Sequence, residues 1–260
     1  MQIKTINKII TTKLNEWLNS IADKVLSKSI KENLLLSGGS ITSMLLNEKV
    51  NDFDIYIMNR DVLMKLVQYY TNGYNEIRIL DGKNKQDLVQ KLENEYGKKI
   101  EDISSAYSIS LRNLKDDQIK LYFDSKYGGI KVNEGTPVEE LNYTPLFFSP
   151  NAISLSNDIQ IVIRFCGNAE TIHKTFDFIH ATNYFTFETG LVTNTQALES
   201  ILTKQLKYQG SLYPVTSIIR TKKFLKRNWN CSAGELLKMM FQVSQLDLSN
   251  PDILDEQLVG

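Results

Sequence analysis

The run Ser37–Ile57, SGGSITSMLLNEKVNDFDIYI, sets two glycines and a serine one short helix ahead of two aspartates separated by a single residue. From Val50 to Met58, Phe53, Ile55 and Ile57 fall on one side and Asp52, Asp54 and Tyr56 on the other, the period of two expected of a strand. Both aspartates therefore point the same way. Two carboxylates among apolar neighbours repel each other and resist desolvation unless a cation or a proton sits between them. Upstream, Leu34-Leu35-Leu36 reads as a short buried strand and Ser37-Gly38-Gly39-Ser40 as the turn after it. Ile41–Leu46 then gives a helix of about two turns, with Ser40 or Thr42 available as its cap.

Around this strand, turn, helix and strand the rest of the chain falls into segments. In residues 3 to 30, Ile3, Ile6, Ile10, Leu14, Trp17, Leu18, Ile21, Val25 and Leu26 recur at helical steps, which predicts one amphipathic helix or two broken near Asn19. Asn59-Arg60-Asp61 offers caps for a helix over VLMKLVQYY, and EIRIL follows the Asn72-Gly73 turn as a strand. Residues 81 to 105 are polar and charged, consistent with an exposed helix or an insertion. From Ile109 to Phe187 the pattern is predominantly β: IKLYF, a Gly128-Gly129 turn, GIKV, PLFF, AISL, IQIVIRF, TFDFIH and NYFTF. Beyond Thr193 it turns helical, and Ser232 with Glu235 three residues on forms a capping-box signature. The expected architecture is α+β: a mixed β-sheet core with flanking helices and a β-rich insertion over residues 1–192, followed by a C-terminal helical region, 193–260.

The bulk numbers bound this reading. With 260 residues, 42% of them hydrophobic, the chain can bury one large core or two modest ones. Thirty basic and thirty acidic residues cancel, so any nucleic-acid argument rests on local charge. Cys166 and Cys231 lie far apart without a CxxC partner, which argues against a disulfide partnership or a zinc knuckle and for a reducing compartment. No run of eighteen apolar residues and no secretory leader is present, so we expect a cytoplasmic protein that spans no membrane.

Asp52 and Asp54 on one strand face are placed to share a pair of Mg²⁺ ions, about 3.5–4 Å apart in such sites, that clamp the oxygens of a phosphoryl centre. The Gly38-Gly39-Ser40 turn supplies the complement, because glycines let the backbone approach a phosphate and the helix start offers N–H groups. In this order the residues resemble the nucleotidyltransferase superfamily typified by DNA polymerase β, poly(A) polymerases and tRNA CCA-adding enzymes. The matching positions are Gly38, Gly39, Ser40, Asp52 and Asp54, and the motif covers residues 34 to 58. The resemblance implies a Mg²⁺-dependent transfer of a nucleotide from an NTP to an acceptor hydroxyl, with an RNA 3′ end as the first acceptor and loss of pyrophosphate. It also implies a third carboxylate, for which Asp177 in KTFDFIHA is the first candidate and Asp124 in LYFDS the second.

The longer chain is similar to nucleotidyltransferase-like proteins of tailed bacteriophages, on Phe176–His180, Tyr213-Pro214 and Arg220–Phe224. That likeness implies a phage source and a host-cytoplasm location. Ser43-Met44 stands where a bacterial CCA-adding enzyme carries Arg-Asp, which weighs against CCA addition.

Residues 201 to 229 carry Lys204, Lys207, Arg220, Lys222, Lys223, Lys226 and Arg227 and no acid. If helical, Arg220, Lys223 and Arg227 share a face that could grip a triphosphate or a nucleic-acid backbone, with Tyr208, Tyr213, Phe224 and Trp229 nearby as stacking surfaces. The bland alternative is a solvated face balanced by Asp247, Asp252, Asp255 and Glu256. His173 and His180 read as core or hydrogen-bonding residues rather than metal ligands. Two other functions fit the same residues: nucleotidyl transfer to a protein or small molecule, and a catalytically silent nucleic-acid-binding module.

Overall fold

The computed structural model describes residues 2–124, 129–135 and 142–259. Gly128 of the Gly128-Gly129 turn and the side chains of Asp252, Asp255 and Glu256 lie outside the described residues. The helical spacing of residues 3 to 30 resolves into two helices, α1 (Ile3–Ser20) and α2 (Lys24–Asn33). The break falls where Asp23 caps α2, its carboxylate accepting from the backbone N–H groups of Val25 and Leu26. Ile6, Ile10, Leu14, Trp17, Leu18, Ile21 and Leu26 are buried as their spacing requires, whereas Ile3 and Val25 are exposed.

The decisive stretch forms β1 (Leu34–Ser37), α3 (Gly39–Leu45) and β2 (Phe53–Ile57). Helix α4 (Arg60–Thr71) starts on Asn59, whose side chain accepts from the Asp61 and Val62 N–H groups. Then come β3 (Arg78–Asp81), α5 (Lys85–Tyr96), α6 (Ala106–Arg112) and β4 (Ile119–Tyr122). Strands β5 (Ile130–Lys131), β6 (Pro145–Phe148), β7 (Ala152–Leu155) and β8 (Ile159–Cys166) follow. The remainder holds α7 (Ala169–His173), β9 (Tyr184–Thr186), β10 (Gly190–Val192), α8 (Thr195–Thr203) and β11 (Gln205–Leu206). It ends in α9 (Pro214–Leu225), β12 (Asn230–Cys231), α10 (Ala233–Val243) and α11 (Pro251–Val259). The expected α+β class, with a β-rich stretch before the C-terminal helices, is what the structure shows.

Three local expectations differ. Residues 106–112 are helical because Ser105 and Ser108 exchange side-chain-to-backbone hydrogen bonds as a capping box. The segment TFDFIH is no strand; it turns after α7 and enters a 3₁₀ helix, Ile179–Ala181. Ser232 does cap α10 through the Glu235 N–H, but the Glu235 carboxylate is taken by the Tyr208 N–H and Lys238, so the box stays half made.

The chain divides into two compact units, with the divisions falling within α1, β1 and β2 and after β8. The first comprises Met1–Leu14, Leu35–Asp54 and Asn168–Gly260. Its strands run in the order β10-β9-β1-β2, with Leu36 opposite Phe185 and Ser37 opposite Tyr184 in an antiparallel pair. Phe178, Ile201, Leu206, Tyr208, Trp229 and Met239 form a buried cluster there, against which Phe224 packs. The second unit comprises Asn15–Leu34 and Ile55–Gly167. Its strands run from the end of β2 through β8, β7, β6 and β5, antiparallel from β8 onward, beside a separate antiparallel pair of β3 and β4. Leu80, Leu92, Ile100, Ile103, Leu111 and Leu114 make its own small core. Among the described residues no helix is long and apolar enough to cross a membrane, and Cys166 and Cys231 are free thiols.

Trp229 is 3% exposed and its ring lies 4.6 Å from that of His180, so it holds the helical region together and is unavailable as a stacking platform. Trp229→Ala is expected to cost about 3–5 kcal/mol, read from urea denaturation; a cost below about 1 kcal/mol would return it to the surface.

Candidate active site

All of the site residues expected from sequence except Asp124 lie in the first unit. Gly38 adopts φ 101° and ψ −151°, a region that residues with a side chain avoid. A Cβ placed there would come within 3.0 Å of Asp54 Oδ2. Gly38 is therefore glycine for two reasons, its own conformation and the carboxylate against it. Its N–H donates to the Ala181 carbonyl at 3.1 Å. Gly39, by contrast, faces open space, so no neighbour demands a glycine there. Ser40 is 2% exposed, and its hydroxyl has no hydrogen-bond partner among the described residues. Neither Ser40 nor Thr42 caps α3: no side chain caps that helix, and the Thr42 hydroxyl donates to the His180 carbonyl at 3.0 Å.

Asp54 is half-buried on β2, and Asp52 is exposed just ahead of the strand. Burial pushes the Asp54 carboxyl up to about 7; the Asp52 charge adds to the rise, and the Arg220 charge opposes it. The local conflict inferred from DFDIYI is thus present in three dimensions, and Arg220 stands close enough to act on it.

Asp177 is also buried, but it does not join the other two carboxylates. Its Oδ2 accepts from Arg220 Nη1 at 2.7 Å and its Oδ1 from the Ser211 hydroxyl at 2.8 Å. Among the described residues no group of three His, Cys, Asp or Glu side chains is arranged to hold a metal ion. The oxygens of Asp177, expected as the third metal ligand, are engaged here by a guanidinium and a hydroxyl. Asp124, the second candidate, is exposed after β4 in the other unit.

The basic segment is largely paired. Besides Arg220, Arg227 bonds Glu48, Lys204 reaches Glu48 at 3.5 Å, and Lys207 reaches Glu199 at 2.8 Å. The Arg227 hydrogen bond is the main cause that holds the Glu48 carboxyl below its usual range. Lys223 is exposed on α9 and has no partner among the described residues. Of the aromatic residues expected as stacking surfaces, Tyr208, Tyr213 and Trp229 are buried and Phe224 is half-buried.

The histidines have the structural roles expected of them. His173 Nε2 lies 2.9 Å from the Ser37 hydroxyl, and burial pushes its pKa down to about 4. His180 stacks on Phe178, and burial, with a smaller contribution from Arg227, pushes it down to about 3. Sequence reasoning missed Ser211 and Glu48, whose partners lie far along the chain and leave no periodic signal.

A family model described as "Gad2: Gabija anti-defense 2 family protein" matches residues 8–204. A curated relative from Bacillus phage SPbetaL7, "Gabija anti-defense 2", is 26% identical over 102 residues, 38% of this chain. That stretch spans 26% of the relative's own length. Among solved structures, a tRNA nucleotidyltransferase complexed with a primer tRNA and an incoming ATP analog is similar at 12% identity and a TM-score of 0.39, over 83% of this chain and 48% of that one. The Thermotoga maritima CCA-adding enzyme complexed with tRNA is similar at 11% identity and a TM-score of 0.42, over 89% of this chain and 45% of that one.

The Asp54 environment sets a pH dependence. The unfolded chain loses this proton near the ordinary value of 3.8 and the folded chain near 7, so between those pH values the folded state binds more protons. Stability from this group is present below pH 4 and is lost as pH rises to 7. In melting curves without divalent cation, Asp54→Asn is expected to exceed the wild-type midpoint by about 2–6 °C at pH 7.5 and to converge with it below about pH 4. A gap independent of pH would contradict the assigned environment.

Proposed function

This chain belongs to the Gabija anti-defense 2 family, and we propose that its first unit is a Mg²⁺-dependent nucleotidyltransferase. The observation that carries this reading is the Asp54 carboxylate set against the side-chain-free backbone of Gly38, with Asp52 beside it. Mg²⁺ in phosphoryl-transfer sites takes one or two carboxylates and completes its shell with substrate phosphates and water. An acid whose ionised form is disfavoured by burial and by a neighbouring carboxylate fits that donor set, and Asp52 and Asp54 would hold a pair of such ions. Bound there, Mg²⁺ supplies charge neutralisation and alignment of the phosphate oxygens.

The chain's own residues account for the rest. Gly38 and Gly39 leave room for the phosphates to approach the backbone. The unpartnered Ser40 hydroxyl is a buried donor that a phosphate oxygen would satisfy. Arg220 and the exposed Lys223 bring positive charge from α9 to the triphosphate. The acceptor hydroxyl attacks the α-phosphorus, a new P–O bond forms, and the bond to the β-phosphate breaks to release pyrophosphate. As acceptor we propose first an RNA 3′ hydroxyl, which the exposed lysines Lys222, Lys223 and Lys226 would support through phosphate contacts.

The family name, which sets its members against a defense, favours a second acceptor class: a side-chain hydroxyl of a host defense protein. Both readings use the same site, and both place the protein in the host cytoplasm.

The test incubates purified protein with Mg²⁺ and each α-labelled NTP, offering host RNA, DNA and protein, beside Asp52→Ala and Asp54→Asn. Transfer to one acceptor class is expected. The variants are expected to lose more than the roughly 10- to 100-fold that removing a mere partner of a metal ligand costs. Equal labelling by the variants would reject this site. No transfer by the wild type, with salt-dependent RNA binding intact in every variant, would favour a silent binding module.

A further inference from the structure

Asp177 stands in no group of three candidate metal ligands among the described residues, yet its carboxylate is held on both oxygens. A carboxylate with 6% of its side chain exposed is costly to bury, and two strong donors, Arg220 and Ser211, are committed to it. The surrounding chain is committed too. The Gln209 N–H donates to the Asp177 carbonyl at 3.0 Å, and the Gln209 amide reaches the carbonyls of His173 and Phe176 at 2.8 and 2.9 Å. Ser211 is itself fixed, because the Gln242 side chain receives its N–H at 3.2 Å and donates to its carbonyl at 2.6 Å.

The loop that pins Asp177 runs directly into α9, which carries Arg220. On its other side, the segment after Asp177 is stitched to the glycine turn. Gly38 donates to Ala181, the Ser37 hydroxyl to the Asn183 carbonyl at 2.8 Å, and the Thr42 hydroxyl to the His180 carbonyl. The Gly38 turn is thus tied by hydrogen bonds to residues 180–183, and three residues earlier in the same segment Asp177 is tied to Arg220. The Arg220 charge acts on the Asp54 carboxylate, which lies over Gly38.

We propose that Asp177 is a positioning residue, which with Ser211 holds Arg220 as a resident counter-cation for the Asp52–Asp54 pair until metal and nucleotide arrive, whereupon the same guanidinium binds the triphosphate. The inference rests on the metal site proposed above. Arg220 thus acts with opposite sign on two ligands. Its charge repels a divalent cation from the nucleotide-free site and attracts the triphosphate that enters with one. Guanidinium is suited to both tasks, since it stays charged at every working pH and presents several donors in one plane.

The test measures Mn²⁺ binding to the nucleotide-free protein by electron paramagnetic resonance, and separately the affinity for each of the four NTPs in Mg²⁺. Arg220→Gln is expected to tighten Mn²⁺ roughly 3- to 10-fold and to weaken NTP roughly 10-fold. Arg220→Lys, which keeps the charge without the fork, should hold Mn²⁺ at the wild-type affinity and recover part of the NTP binding. Asp177→Asn should weaken NTP in the same direction, and adding it to Arg220→Gln should cost nothing further, as expected of residues that act as a pair. Melting curves establish that Asp177→Asn folds, and the Arg220 variants, altered at a side chain 47% exposed, carry the test if it does not.

A purely structural Arg220–Asp177 pair would move neither ligand selectively. Unchanged Mn²⁺ affinity in Arg220→Gln, with Mn²⁺ bound by the wild type, would overturn this inference and leave the metal site standing. Absence of Mn²⁺ binding by the wild type would overturn the metal site and this inference with it.

Discussion

The approach of the Asp54 carboxylate to the backbone of Gly38 is the constraint on which the candidate site depends. It requires a residue without a side chain in a conformation open to glycine, directly after β1 and before α3. It also requires β2 to stand beside β1 so that Asp54 faces the turn. The result is an acid group whose ionised form is disfavoured by burial and by Asp52. Such an arrangement is costly to stability.

The electrostatics around it are layered. Arg220 offsets part of the carboxylate charge and is itself held by Asp177. Farther along the same segment, Arg227 and Lys204 converge on Glu48, in the connection between α3 and the two aspartates. The basic segment, four of whose seven cations are engaged by three acids, reads less as a broad nucleic-acid surface than as a set of ties within the first unit. The lysines left exposed on and just after α9 are the part of it still available to a phosphate.

The strand, turn, helix and strand over residues 34–58 were legible because their signals are local: a period of two in VNDFDIYIM, a glycine turn, and an uninterrupted short helix. The Asp23 and Asn59 caps belong to the same class of signal, since a cap bonds the N–H groups of the next few residues. The Thr175–His180 segment misled because alternating apolar residues also suit a turn whose side chains are buried by distant partners. Phe178 is buried with Tyr208, Trp229 and Met239, residues that no window around position 178 contains. Tyr208 and Trp229, expected to stack on bases, fill a core for the same reason.

The sequence by itself determined the local ingredients of the candidate site: two acids one residue apart at and just before a strand, a glycine turn before them, and a basic segment without acids near the C-terminus. It determined these because strand period, glycine freedom and composition are properties of neighbouring residues. Which acids act together was decided only by the tertiary structure. Asp177 pairs with Arg220 across 43 positions and Glu48 with Arg227 across 179. A buried carboxylate takes whichever donor the fold brings within hydrogen-bond distance, and no local pattern records that choice.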